Sequence, residues 1–274
     1  MSEPLTPHRA PFVLAPGLHV TLRVPTVGPA YEGHFPGRPI LPGVALLDLA
    51  LAALAEAGAA AELREIVQLR FRRLLLPGED VELEVKSIDP GGRCRFEASR
   101  AGQVVANGIV VFGEGAAGAP PAVLVPQDTL AATRADLDDL LPHRPPMRLV
   151  EQVEAEIADG VVCTVSVPAR CALAVDGFAP AHVTLEMAAQ AAAVFESCRR
   201  LRAGDRSRAG VGYLVGAREV RFARARVPAT ERLSASVRLS WVSPPLSTYA
   251  FEVSHHGELV AAGTLSAWLT PTHA

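Results

Sequence analysis

Two apolar stretches frame the chain. Val44 to Leu54 is apolar at every position but Asp48 and opens behind Pro42-Gly43, which predicts a buried helix. A second run, Ala188 to Phe195, belongs to a helix that carries Leu185-Glu186-Met187-Ala188-Ala189-Gln190. Glu186 and Gln190 are four apart there and share one helical face. After each helix comes an Arg-Phe pair with a proline six residues beyond the Phe: Arg70-Phe71 with Pro77, and Arg221-Phe222 with Pro228. Alternating strands follow, Val81-Glu82-Leu83-Glu84-Val85 and Leu233-Ser234-Ala235-Ser236-Val237. Each half then closes on the same hairpin pattern, Gly102-Gln103-Val104-Val105-Ala106-Asn107-Gly108 and Gly257-Glu258-Leu259-Val260-Ala261-Ala262-Gly263. The repetition predicts one fold written twice. Residues 1–115 form the first domain on this reading, 116–134 a Gly-, Ala- and Pro-rich linker, and 135–274 the second domain.

Composition narrows the function. A chain of 274 residues has room for two domains, and 49% hydrophobic residues suffice for a core in each. The net charge of −3 offers no basic field for nucleic acid. Lys86 is the single lysine, so the remaining positive charge is arginine. Cys94, Cys163, Cys171 and Cys198 show no paired spacing and read as reduced thiols. The apolar runs are far short of the ~20 residues that span a bilayer, and no signal peptide is evident in Met1 to Pro11. The expectation is a cytoplasmic protein without a membrane span. Gly113-Glu114-Gly115-Ala116-Ala117-Gly118 spells a dinucleotide fingerprint, but Ala119-Pro120-Pro121 follows where a helix would have to hold the pyrophosphate. His255-His256 lacks metal-ligand spacing and precedes a turn glycine, so no metal is expected there.

One stretch carries chemistry. Tyr31-Glu32-Gly33-His34-Phe35-Pro36-Gly37-Arg38-Pro39 runs through Pro42-Gly43-Val44 into the first helix. It fixes an imidazole, the side chain suited to proton transfer near neutrality, beside a helix N-terminus. That end offers free N–H groups to a carbonyl oxygen gathering negative charge. Proton abstraction next to a carbonyl needs both.

The Gly-His-Phe-Pro-Gly loop, Pro42-Gly43-Val44, and the later Leu69-Arg70-Phe71-Arg72-Arg73 with Pro77-Gly78-Glu79 resemble the hotdog-fold 3-hydroxyacyl-carrier-protein dehydratases. In the second half, Leu141-Pro142-His143-Arg144 and the Glu186–Gln190 helix resemble the same family. The pair is similar to the two-subunit dehydratases of aryl-polyene pathways, fused into one chain. The resemblance implies an α+β double hotdog: two central helices, each wrapped by an antiparallel sheet. It also implies that a loop histidine of one unit faces a helix acid of the other.

His34 precedes Asp48 by fourteen positions, while fourteen before Glu186 stands Ala172; four after Asp48 stands Ala52. The resemblance therefore implies one complete site: His34 as base, Glu186 as acid and Gln190 as its positioner. Phe35, Pro36, Gly37, Gly43 and Val44 would bind substrate, the last two through their N–H groups. Asp48 stays open as an alternative acid, His143 reads as structural and His182 as incidental. The family further implies no cofactor beyond the phosphopantetheine of an acyl carrier protein, with Arg70, Arg72, Arg73, Arg221, Arg224 and Arg226 as candidate docking residues for that acidic partner. A homodimer of double hotdogs is compatible with it. A hotdog thioesterase and an inactive acyl-binding subunit remain alternatives.

Overall fold

In the computed structural model, residues 15–35, 37–56, 62–113, 129–130, 136–205 and 212–270 are described. The first half runs β1 (His19–Arg23), α1 (Gly43–Glu56), β2 (Glu62–Phe71), β3 (Asp80–Ile88), β4 (Arg93–Arg100) and β5 (Gln103–Gly113). A two-residue strand β6 (Thr129–Leu130) and a short helix α2 (Leu137–Leu140) lead into the second half. There follow β7 (Val150–Ile157), β8 (Gly160–Val165), β9 (Phe178–Pro180), a 3-10 turn (Ala181–Val183) and α3 (Thr184–Arg202). Next come β10 (Gly212–Phe222), β11 (Arg226–Pro228), β12 (Leu233–Ser243), β13 (Leu246–His255) and β14 (Glu258–Leu269). Apart from β6, the linker expected over 116–134 lies outside the described residues.

Among the described residues, twelve strands form one sheet in the order β1-β3-β4-β5-β2-β10-β14-β13-β12-β8-β7-β6. Each neighbouring pair in it is antiparallel. The halves meet where β2 pairs with β10, Leu69 opposite Ala217 and Glu65 opposite Arg221. Both Arg-Phe pairs end these seam strands, and both Gly-turn patterns open β5 and β14. The double hotdog is thus present, with the two sheets joined edge to edge.

The alternating strands bury one face against the helices: Val81, Leu83 and Val85 of β3, and Leu233, Ala235 and Val237 of β12. Helix α1 buries Val44 through Leu47, Ala50, Leu51, Ala53 and Leu54, as its all-round apolar sequence requires. Helix α3 is longer, and buries Glu186 and Gln190 along with its apolar positions. A buried carboxyl and amide cost free energy unless their hydrogen bonds are met, and those bonds form the site. No helix among the described residues is long and apolar enough to cross a membrane.

Candidate active site

The loop before α1 turns through positive φ at Gly33 (78°) and Phe35 (53°). Gly33 has no room for a side chain: a Cβ there would fall 1.8 Å from the carbonyl oxygen of Arg144. The Arg144 N–H instead donates to the Gly33 carbonyl at 2.8 Å. This contact lays Leu141-Pro142-His143-Arg144 of the second half directly against the His34 loop of the first. The Arg144 guanidinium firms the turn by donating to the carbonyls of Leu141 at 2.8 Å and His143 at 2.9 Å.

His34 is buried, and its Nδ1 lies 2.9 Å from the Ile40 carbonyl oxygen. A carbonyl can only accept, so Nδ1 carries the proton and Nε2 keeps a lone pair. Burial pulls its pKa down to about 4, against the opposing pull of the Ile40 bond. At neutral pH the ring is an uncharged base.

Glu186 comes from the first turn of α3, across the seam. Burial raises its pKa, opposed by the hydrogen bond from Gln190. Gln190, one turn on, donates from Nε2 to Glu186 Oε1 at 2.9 Å and to the Met147 carbonyl at 2.7 Å. Its Oε1 accepts the Leu149 N–H at 2.8 Å. The amide therefore fixes the carboxyl and ties the chain after His143 to the helix.

His143, read from the sequence as structural, lies beside this pair. It is buried with Nε2 3.4 Å from Glu186 Oε1, and its ring centroid is 5.4 Å from that of His34. Burial, then the charges of His34 and Arg144, lower its pKa to about 3. One nitrogen of each imidazole and one Glu186 oxygen lie within 4.8 Å of one another. The polar histidine between Pro142 and Arg144, just ahead of an apolar run, was the available signal; its cross-half contact was not visible in sequence.

The trio faces a narrow cavity of about 70 Å³ whose wall includes Ile40, Gly43, Leu46, Phe71 and Ala189. Phe35 packs on both imidazoles, with ring centroids 4.3 Å from His34 and 5.2 Å from His143. Gly43 opens α1 at the cavity wall, with the ring of Phe71 only 3.0 Å from where a Cβ would stand. As first residues of the helix, Gly43 and Val44 have no carbonyl four residues back in it for their N–H groups. Val44 itself is fully buried. Gly37 completes the loop turn with φ of 81°, and Pro36 lies outside the described residues.

The candidate docking arginines separate into two groups. Arg70, Arg72 and Arg73, joined by Arg218, line an open groove that shares Phe71, Arg73, Leu74 and Tyr213 with the cavity. Arg224 and Arg226 line a different surface groove with Arg64, and Arg224 pairs with Glu258 at 2.7 Å. Arg221 lies opposite Glu65, whereas Arg70 lies opposite Gly216. The antiparallel register thus carries Arg221 and Arg224 to the far end of the seam, away from the His34 cavity.

The other helix start is differently furnished. Asp48 has its carboxylate 3.1 Å from Nε2 of buried His182, close but not aligned for a hydrogen bond. His182, read from the sequence as incidental, sits where α1 of one half meets the 3-10 turn of the other. Asp48 does not reach the His34 cavity lining.

Two groups among the described residues have the spacing of a metal ligand set: His34, His143 and Glu186, which are buried, and buried His255 with exposed Glu231 and His256. The second arises because Glu231 approaches His255 Nε2 at 2.9 Å, a neighbour that the adjacent histidines alone did not reveal.

The sequence agrees with this division. Residues 135–273 match the family model described as ApeP dehydratase, and residues 15–109 match that described as ApeI dehydratase. A 3-hydroxyacyl-[acyl-carrier-protein] dehydratase FabZ of Symbiobacterium thermophilum is 34% identical over 131 residues, 40% of this chain and 83% of that protein. The FabZ of Herpetosiphon aurantiacus is 36% identical over 133 residues, 39% of this chain and 91% of that protein. Among solved structures, the dehydratase domain of PpsC from Mycobacterium tuberculosis superposes with a TM-score of 0.63 at 16% identity, covering 96% of this chain and 100% of that one. A putative thioesterase from Novosphingobium aromaticivorans superposes at 0.54 and 16% identity, covering 92% of this chain and 96% of that one. The fold is shared by both activities, so the choice between them rests on family and site.

Proposed function

The chain belongs to the hotdog dehydratase family of ApeI-like and ApeP-like domains, here fused, and we propose that it removes water from a 3-hydroxyacyl thioester to give the 2-enoyl thioester. The observation that carries this reading is the pairing, across the halves and in one cavity, of an imidazole that is uncharged at neutral pH with a carboxyl whose pKa burial raises. His34 Nε2 takes the proton from the carbon next to the thioester carbonyl. The N–H groups at the start of α1 polarise that carbonyl and hold the charge that develops on its oxygen. Protonated Glu186 gives its proton to the departing 3-hydroxyl, which leaves as water. The proton on His34 and the vacancy on Glu186 are exchanged afterwards, and His143 beside both provides a route for that transfer. Gln190 holds Glu186 in place throughout.

A thioesterase would need an ionised acid to activate water, and burial works against that charge on Glu186. We further propose that the substrate arrives on the phosphopantetheine of an acyl carrier protein, with Arg70, Arg72, Arg73 and Arg218 meeting its acidic surface at the cavity mouth. The test is mass spectrometry of a 3-hydroxyacyl carrier protein incubated with the enzyme. Loss of one water is expected; release of free carrier thiol without water loss would select the thioesterase instead.

A further inference from the structure

The cavity holding His34 and Glu186 is also lined by a bulky ring, Tyr249, that the second half supplies. Along α3, Glu186, Ala189 and Ala193 line the cavity in succession, and Glu196 lies one turn beyond Ala192. At ~1.5 Å per residue Glu196 stands roughly 15 Å down the helix from Glu186. The wall is small along this line, with Ala189, Ala192 and Ala193, and then meets Tyr249 of β13, which is fully buried.

The ring is held in place. Its hydroxyl donates to Glu196 Oε1 at 2.6 Å, and Arg199 donates to Glu196 Oε2 at 3.0 Å from Nε and 2.5 Å from Nη2. Phe195 packs edge-on against it with ring centroids 6.5 Å apart. Tyr249 stands eight positions before the hairpin glycine Gly257; eight before the matching Gly102 stands Cys94, a much smaller side chain. The tyrosine is therefore particular to the half whose helix supplies the acid. With the ring in place the enclosed volume is about 70 Å³, small beside the ~300–1,000 Å³ of common ligand pockets.

We infer that Tyr249, pinned by Glu196, is the residue that sets acyl-length specificity, closing the cavity so that short acyl groups are favoured over long ones. This rests on the dehydration reading of the same cavity. An acyl tail that reaches the ring must displace it from Glu196 or leave its own terminal carbons unburied, and either lowers the rate for long chains.

The experiment compares parent, Tyr249→Phe and Tyr249→Ala on 3-hydroxyacyl N-acetylcysteamine thioesters of increasing length. The readout is the long-to-short ratio of kcat/KM. In parallel, calorimetry measures binding of the corresponding saturated acyl thioesters. Tyr249→Ala should raise the long-to-short ratio on the order of tenfold or more, the scale of a methylene-sized misfit in an apolar pocket. Tyr249→Phe, which keeps the ring but frees it from Glu196, should move the ratio the same way by less. Ala193→Met, which narrows the wall above the ring, should move it the opposite way and serves as the deciding variant if Tyr249→Ala does not fold. An unchanged ratio across the folded variants overturns the inference. Water loss with no length shift removes this role of Tyr249 but keeps the dehydratase; a length shift in binding with no water loss from any hydroxyacyl thioester does the reverse.

Discussion

At the scale of single residues, burial moves the pKa of His34 down and that of Glu186 up, in each case favouring the uncharged form that the proposed base and acid need. His34→Ala removes the base and Glu186→Gln the acid, so each should lower kcat by on the order of 10²–10⁴. The double variant should be little worse than the worse single, because both act in one step. Asp48→Asn, paired with His182 away from this cavity, should stay within a few-fold of the parent. Steady-state kinetics on one thioester reads all four, and a dead Asp48→Asn beside an active Glu186→Gln would refute the pairing. The pH profile of kcat/KM should fall on the acid side toward about 4, where His34 gains a proton, and on the alkaline side where Glu186 loses its own. Stability follows a related sign. His34 and His143 bind protons less readily folded than at their ordinary value of 6.5, so the unfolded chain takes up more protons below that pH. Their contribution is present above about 6.5 and is lost as pH falls toward 4 and then 3. Glu186, raised, contributes in the opposite sense and loses its share as pH rises through its folded value. Denaturant unfolding between pH 7 and 4 checks the acid limb, and His34→Asn with His143→Asn should flatten it. His34 and Glu186 were legible because their types and spacing are local. His143 was not, since its place in the cavity comes from packing beside His34, more than a hundred positions away.

At the scale of elements, the loop before α1 is placed by one backbone approach. Gly33→Ala would put a methyl into the Arg144 carbonyl at a φ that alanine adopts only under strain. It should destabilise the protein by roughly 1–3 kcal/mol or more, and should lower turnover beyond that loss because His34 and His143 separate. Thermal unfolding and kinetics on the same preparation distinguish the two effects; parental values in both would show that the loop tolerates the shift. The helices and the late hairpins could be read from period and turn residues, since α1 and α3 are long and β13–β14 turns at His256-Gly257. The pairing of β9 with β11 could not, because three-residue strands leave no periodicity. Nor could the division of the arginines: alternation says which face a strand residue takes, while the end of the seam it occupies depends on the register of β2 against β10.

At the scale of the molecule, the duplication was written in repeated Arg-Phe and Gly-turn patterns, yet the single continuous sheet was not, because pairing between halves leaves no local mark. That seam predicts the behaviour of fragments. Residues 1–115 alone would expose the edge of β2 and lack Glu186, Gln190 and His143. They should aggregate or self-associate without turnover, and adding residues 135–274 as a separate chain should restore activity; size exclusion and kinetics read both. Normal turnover by the first fragment alone would contradict a site shared between halves. The intact chain carries both halves of that site on one covalent backbone, and this governs how it responds to dilution. Halves on separate chains must find each other and lose activity once diluted below their dissociation constant, whereas a tether holds each at an effective concentration around the millimolar range for the other. Turnover per mole of the intact chain should therefore stay constant from micromolar to nanomolar enzyme, while that of the reconstituted fragments falls.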